Sequence, residues 1–318
     1  MPLLALSGCE GRQSALDPAG LGAERIAELF WWMAGGSVVI WLAVIGLALY
    51  ATRARPGEHN IRGARWLIIG GGAVFPTVVL GGLLSYGLML LPQLRDTADI
   101  DHRIEVSGEQ WWWRVRYQPA GDGEPVELAN EIRLPVGERA LFSLVSPDVI
   151  HSFWMPSLAG KVDMIPGRTN ELVVQPTRTG TFRGACAEYC GASHALMNFQ
   201  IVVMEPAAYR NWLAHQAEPA QAPRSDQARR GLDAFLANGC GACHVIRGTP
   251  ASGRLGPDLS HVGSRLGLAA DALPNDREAF AHWIGHSTQI KPEARMPAFG
   301  MLPRDELAAM AVYLSELE

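Results

Sequence analysis

The chain has 318 residues, which excludes one small module and, on a prior of roughly 100–200 residues per domain, points to two or three units. Hydrophobic residues make up 48% and charged residues 19%, below the roughly 25% charged of an average soluble chain, which argues against disorder and for a membrane part. A net charge of −5 gives no electrostatic basis for a nucleic-acid partner, and five cysteines are too few for a disulfide scaffold, so their spacing points to metal or cofactor chemistry.

In the N-terminal segment, 1–28, the first residues read MPLLALSGC, and Leu6-Ser7-Gly8-Cys9 matches the lipobox that ends a bacterial lipoprotein signal. No basic stretch or full apolar core precedes it, so Cys9 is either a lipid anchor or an ordinary exposed thiol. Residues 29–50 and 66–91 then form two uncharged runs. At about 1.5 Å per residue, each reaches across a hydrocarbon core of roughly 30 Å. Pro76 and the run Gly70-Gly71-Gly72 would break a soluble helix but are tolerated in bilayer helices. Two buried helices of a soluble protein are the alternative. The loop between them, 51–65, carries Arg53, Arg55, Arg62 and Arg65 against Glu58, which places it in the cytoplasm of a bacterial inner membrane. Both termini then lie on the periplasmic side, in an oxidising compartment.

Residues 92–208 are rich in strand patterns, at 104–117, 131–137, 140–147, 170–177, 180–186 and 198–205, with turn residues between them and no long helical period. That predicts a β-sandwich or barrel. On a strand, Trp111 and Trp113 share one face and Trp112 takes the other, and core filling explains any one of them as well as function does. The densest cluster is Cys186-x3-Cys190-x3-His194-x2-Met197, on one loop between two strands. Two thiolates, an imidazole and a thioether are soft ligands that favour copper, and cupredoxins hold copper on such a loop. A second imidazole must come from elsewhere, and His151, after the strand that starts at Ala140, is the candidate. A mononuclear blue-copper site needs one cysteine, so the second suggests two coppers bridged by both sulfurs. Zinc held by Cys186, Cys190, His194 and His151 is the alternative, leaving Met197 idle, and a disulfide is another.

A short helix starting near Tyr209 leads into a Pro-, Ala- and Gln-rich linker, 209–225. The remaining 226–318 read as a small all-α domain. Leu232, Phe235 and Leu236 have helical spacing with Gly239 as a stop, and Leu307, Met310, Ala311 and Leu314 mark an amphipathic terminal helix. Cys240-Gly241-Ala242-Cys243-His244 is the C-x-x-C-H motif of covalent haem c attachment, in which two thiols take the vinyl groups and the histidine takes the iron. A redox disulfide or a zinc site would leave His244 unexplained. Met296, in the polar segment Arg295-Met296-Pro297, is the candidate second axial ligand, with Met301 and Met310 as competitors. His261, His282 and His286 show no ligand spacing.

This last domain resembles class I cytochromes c, which implies that Pro257 offers its main-chain carbonyl to the His244 ring. The whole chain resembles cytochrome c oxidase subunit II in the form fused to a C-terminal cytochrome c, as in caa3-type oxidases. The resemblance rests on the two spans, GEQWWW at 108–113, His151 in VIHSFWMPSL, Lys161 and Asp163 in GKVDMIPGR, and the loop CAEYCGASHALM. It implies a two-helix membrane hairpin, a cupredoxin-like domain and the cytochrome c domain. It assigns His151, Cys186, Cys190, His194 and Met197 to the binuclear copper centre CuA, with the Glu188 carbonyl as a further ligand and the Glu188 side chain reaching magnesium or manganese at the interface with subunit I. Trp111 would be the aromatic through which electrons pass toward CuA, a task the fused haem takes over in part. The partners implied are haem–copper subunit I, further membrane subunits, a donor cytochrome c or bc1-type complex, and membrane lipid. The family often carries a glutamate at the cytoplasmic start of the second span, where this chain has Arg62, Gly63, Ala64, Arg65 and Trp66, so that proton-channel role does not transfer. A CuA-containing nitric oxide reductase subunit and a membrane-tethered electron carrier are the alternatives. Quinol-oxidase subunit II is disfavoured, because that branch lacks the copper ligands.

Overall fold

The computed structural model describes residues 8, 10–53, 61–119, 121 and 123–318, so Cys9, Arg55 and Glu58 lie outside the described residues. The chain divides into a helical unit, 25–96, and a larger unit made of the residues up to 24 together with 97–318.

Helix α1 (Leu21–Arg53) runs through the first apolar stretch without a break and ends on Arg53, a cation where the helix dipole favours one. The second stretch is α2 (Ile61–Ile69), a wider π-helical turn over Gly70–Val74, and α3 (Phe75–Arg95). The wide turn sits where Pro76 removes a backbone donor, and the Phe75 N–H reaches back to the Gly70 carbonyl. Both stretches are long and apolar enough to cross a membrane, and Trp41, Trp66 and Leu80 point outward from them.

The larger unit begins with a β-sandwich. One sheet orders β3 (Val126–Ala129), β2 (Trp112–Tyr117), β1 (His102–Glu109), β5 (Ala140–Val145) and β8 (Asn170–Val174). The other orders β4 (Glu131–Pro135), β10 (Asn198–Met204), β9 (Gly180–Cys186), β6 (His151–Trp154) and β7 (Lys161–Met164). Inward positions alternate as a two-residue period requires: Ile104 and Val106, Trp113, Val115 and Tyr117, Phe142 and Leu144, Phe199, Ile201 and Val203 are all buried. At the centre, Phe153 stacks on Phe199 at 4.8 Å and Trp113 meets both edge-on.

Every segment read as a strand contains one, but β3, β6 and β7 are too short to show a period. One expectation needs correction. The strand that starts at Ala140 does not run on to His151; it stops at Val145, and His151 opens a strand of its own, β6. Pro147 has no N–H to donate, and the side chains of Ser146 and Asp148 take the main-chain partners of the intervening turn, including the Val149 N–H at 2.7 Å.

The segment read as a linker is partly a helix, α4 (Pro206–Ala217), anchored by buried Tyr209 against His102 and by Trp212 against Tyr117. Only 218–225 are extended. Helix α5 (Asp226–Ala237) starts at Ser225, whose hydroxyl accepts from the Ala228 N–H, and stops at Gly239, whose φ of +74° suits a residue without Cβ. It packs on α7 (Arg304–Ser315), where Met310, Ala311 and Leu314 are buried. Helix α6 (Arg277–Ile290), capped by Asp276, completes the domain; its period is weak in the sequence because only Phe280 and Ile284 anchor it strongly.

Candidate copper and haem sites

The sulfur-rich loop is closed at its neck by the last residue of β9 and the residue before β10: the Cys186 N–H donates to the Met197 carbonyl at 2.9 Å. Within it, a short turn at His194–Leu196 aims the imidazole inward. The two thiol sulfurs stand 3.8 Å apart and unbonded, far from the ~2.05 Å of a disulfide. His151 Nδ1 lies 3.9 Å from the Cys186 sulfur and His194 Nδ1 lies 3.5 Å from the Cys190 sulfur. The Met197 sulfur lies 3.8 Å from that of Cys190, and the Glu188 carbonyl oxygen 3.1 Å from that of Cys186. Two imidazoles, two thiols, a thioether and a carbonyl therefore converge, and His151 and Met197 are wholly buried. A four-coordinate zinc ion would leave the fully buried thioether idle, whereas two soft copper ions use the whole set.

Local electrostatics prepare the sulfurs. The neighbouring Cys190 thiol, and after it His151, pulls the Cys186 thiol well below its ordinary value, while the same contact raises Cys190, so the pair's first proton is the easier one to lose.

Sequence reasoning missed Asp148. Its carboxylate accepts from the His151 Nε2–H at 2.9 Å and from the Gln110 N–H at 2.8 Å. Burial pushes Asp148 up, but the His151 ring and the backbone donors more than offset this and hold it below the usual carboxylate range. With Nε2 engaged, Nδ1 is the atom left facing the sulfurs, which is how an outer partner fixes a ligand's tautomer. The only signal in the sequence is an acid three positions before the histidine. Asp148→Ala is expected to weaken copper binding about 10–100-fold, measured by competition with a copper chelator.

Tryptophans support the loop from the sandwich. Trp111 is 5% exposed and its indole donates to the Cys190 carbonyl at 3.0 Å, with the Gln110 side chain on the same oxygen at 2.7 Å. Trp113 sits beneath and points its indole N–H at the Met197 carbonyl, 3.4 Å away. Trp112, on the opposite face, lies under the Arg114 guanidinium. The Glu188 side chain is exposed beside exposed Tyr189, and among the described residues no acidic cluster of metal-holding geometry forms around it. Lys161 pairs with Asp163 at 3.0 Å; the Ser152 hydroxyl and then Lys161 hold Asp163 below its ordinary value.

In the helical domain, Cys240 and Cys243 are free thiols on either side of a tight turn. The His244 Nδ1–H donates to the Pro257 carbonyl at 2.9 Å, which leaves Nε2 for a metal. Burial lowers His244 and so favours the neutral ring that a ligand requires. The backbone at Gly256 passes so close that a Cβ there would lie 2.5 Å from the His244 Cε1, a cradle only glycine allows. These groups fit covalent haem. Met296 is half-buried and its carbonyl accepts from the Ser287 hydroxyl at 2.9 Å, whereas Met301 is 78% exposed and Met310 belongs to the core under α7. The His261 ring nitrogens lie 2.8 Å and 3.0 Å from the main-chain oxygens of Glu318 and Glu218, and His282 and His286 stand together on α6.

Comparison with known proteins adds a family to this geometry. The family profile described as "Cytochrome C oxidase subunit II, periplasmic domain" matches residues 118–205, and the one described as "Cytochrome c" matches 228–318. "Cytochrome c oxidase subunit 2" of Alkalihalophilus pseudofirmus is 31% identical over 333 residues, which covers 99% of this chain and 94% of that one. The protein of the same name from Bacillus subtilis is 29% identical over 347 residues, covering 100% and 95%. A crystal structure of the periplasmic domain of subunit II of cytochrome oxidase of Bradyrhizobium japonicum shares 31% identity, covers 38% of this chain and 96% of that one, and has a TM-score of 0.35.

Proposed function

The chain belongs to the cytochrome c oxidase subunit 2 family, with a cytochrome c domain at its C-terminal end, and from that premise we propose that it is the subunit where electrons enter a haem–copper terminal oxidase. When bound, covalent haem c and binuclear CuA supply reversible one-electron transfer from a donor cytochrome toward subunit I. The observation that carries this reading is the convergence of two imidazoles, a thioether and a carbonyl around two unbonded sulfurs 3.8 Å apart.

His151, Cys186, Cys190, His194 and Met197 hold the coppers with the Glu188 carbonyl, and Asp148 orients His151. Cys240 and Cys243 would hold the haem covalently, His244 and Met296 would be its iron ligands, and the Pro257 carbonyl fixes the His244 ring. The Glu188 carboxylate, exposed on the copper loop, reaches magnesium or manganese at the face toward subunit I. Oxygen reduction and proton translocation belong to subunit I, since neither apolar stretch of this chain carries a histidine for a haem–copper pair. The two spans anchor the protein in the bacterial inner membrane with loop 51–65 in the cytoplasm and both termini in the periplasm, and Cys9 takes a lipid.

The test is purification of the chain from its membrane with its neighbours attached. The expected preparation contains an oxidase core subunit, covalent haem c and near-infrared copper absorption, and it consumes oxygen with reduced cytochrome c. A nitric oxide reductase core, or a chain that purifies alone with both centres, would overturn the assignment.

A further inference from the structure

The loops on both sides of the proposed haem are gripped by the β-sandwich. Arg114, buried with Glu109 on Nε at 2.7 Å and Glu127 on Nη1, turns Nη2 to the carbonyls of Arg254 at 3.1 Å and Leu255 at 3.4 Å, just before Gly256-Pro257. On the other side, Lys291 at the end of α6 donates from Nζ to the Trp111 carbonyl and, at 3.1 Å, to the Ala269 carbonyl. The next residue's carbonyl, Pro292 O, accepts from the Ser193 hydroxyl at 2.7 Å. Ser193 precedes His194, and Trp111 holds the carbonyl of Cys190, so segment 291–296 is fastened to the copper loop directly at Ser193 and indirectly through Trp111.

Lys291 is 4% exposed and Ser193 1%. Among the described residues, the lysine's hydrogen-bond partners are main-chain carbonyls, and burial pushes its ammonium down to about 7. A lysine so placed is a poor source of stability, because its desolvation is costly and an apolar side chain would fill the space. What it provides is register: any sliding of the two domains breaks the Nζ bond to the Trp111 carbonyl and leaves that buried oxygen without its lysine.

We propose that Lys291, seconded by Ser193, is a positioning residue for electron transfer between the two centres: it fixes the segment that ends in Met296 against the Trp111 carbonyl and the copper loop, so the Trp111 surface receives electrons from the protein's own haem domain and is closed to an outside donor. The proposal rests on the electron-relay reading above.

The experiment uses the full chain in its oxidase complex, with Lys291→Met, Ser193→Ala and the double variant beside the wild type. Three quantities are read: the haem and copper absorption bands, the midpoint potential of each centre, and the rate of haem-to-copper transfer after light-triggered reduction of the haem. The expected result is unchanged bands and potentials, with transfer slowed about tenfold in Lys291→Met, the shift that losing one buried hydrogen bond and stranding its carbonyl imposes on a docking equilibrium. Ser193→Ala is expected to slow it less and the double variant most. Wild-type rates in the double variant would overturn the proposal, and so would a slowing explained by a shifted potential or a lost band. Failure of the electron-relay reading looks different: the wild-type protein itself then lacks one of the two centres.

Discussion

Cys190→Ser is expected to strip the protein of its copper signature: the near-infrared absorption of the proposed bridged pair should disappear, and electrons delivered to the haem domain should no longer reach subunit I. A serine hydroxyl is a hard donor with no tendency to ionise near neutrality, so it cannot replace a sulfur that stands within 4 Å of a second thiol, an imidazole and a thioether. The loss in copper affinity should exceed the roughly 10–100-fold that follows removal of an outer partner. Cys186→Ser should behave alike, whereas Met197→Leu keeps copper and changes the spectrum and potential. Folding should survive all three, because Trp113, Phe153 and Phe199 build the core under the loop without the sulfurs. Copper content and near-infrared spectra of the purified variants decide the matter, and undiminished absorption in either serine variant would contradict the bridged centre.

The second large effect is expected from Met296→Ala. The haem remains covalently attached through Cys240 and Cys243, but the ferric protein loses its sulfur-to-iron charge-transfer band, and its reduction potential drops by a good part of the roughly 0.8 V range that axial ligands command. Electron flow from haem to copper then runs uphill. Met310→Ala offers the contrast, since Met310 is 1% exposed among the core residues of α7 and should cost about 2–5 kcal/mol of stability while leaving the band in place. Persistence of the band in Met296→Ala would point to another ligand.

What the sequence made legible was what lies close together along the chain. Cys186 to Met197 and Cys240 to His244 each fall on one short segment, so their spacing alone announces a donor set. His151 could be nominated because one imidazole was missing, but its strand could not be drawn: a four-residue strand after Pro147 has no period to read. Asp148 stayed hidden because an outer partner is defined by the direction of a carboxylate, which spacing does not encode. Lys291 was hidden for a deeper reason. It ends a weakly periodic helix in a polar stretch, and only the meeting of two domains buries it. The short helix expected near Tyr209 is seated on the sandwich by Tyr209 and Trp212, three positions apart, and it runs on to Ala217, into the stretch whose composition reads as a linker.

The backbone of the copper loop is held almost residue by residue, by the Cys186 N–H on the Met197 carbonyl, by Trp111 and Gln110 on the Cys190 carbonyl, and by Trp113 beneath Met197. Such a frame leaves the donor atoms little freedom to follow a change of charge. With the proposed coppers bound, the donors would be expected to keep their places through a change of charge, so little energy would go into rearranging them. A relay so built would lose little of the potential difference between its carriers at each step.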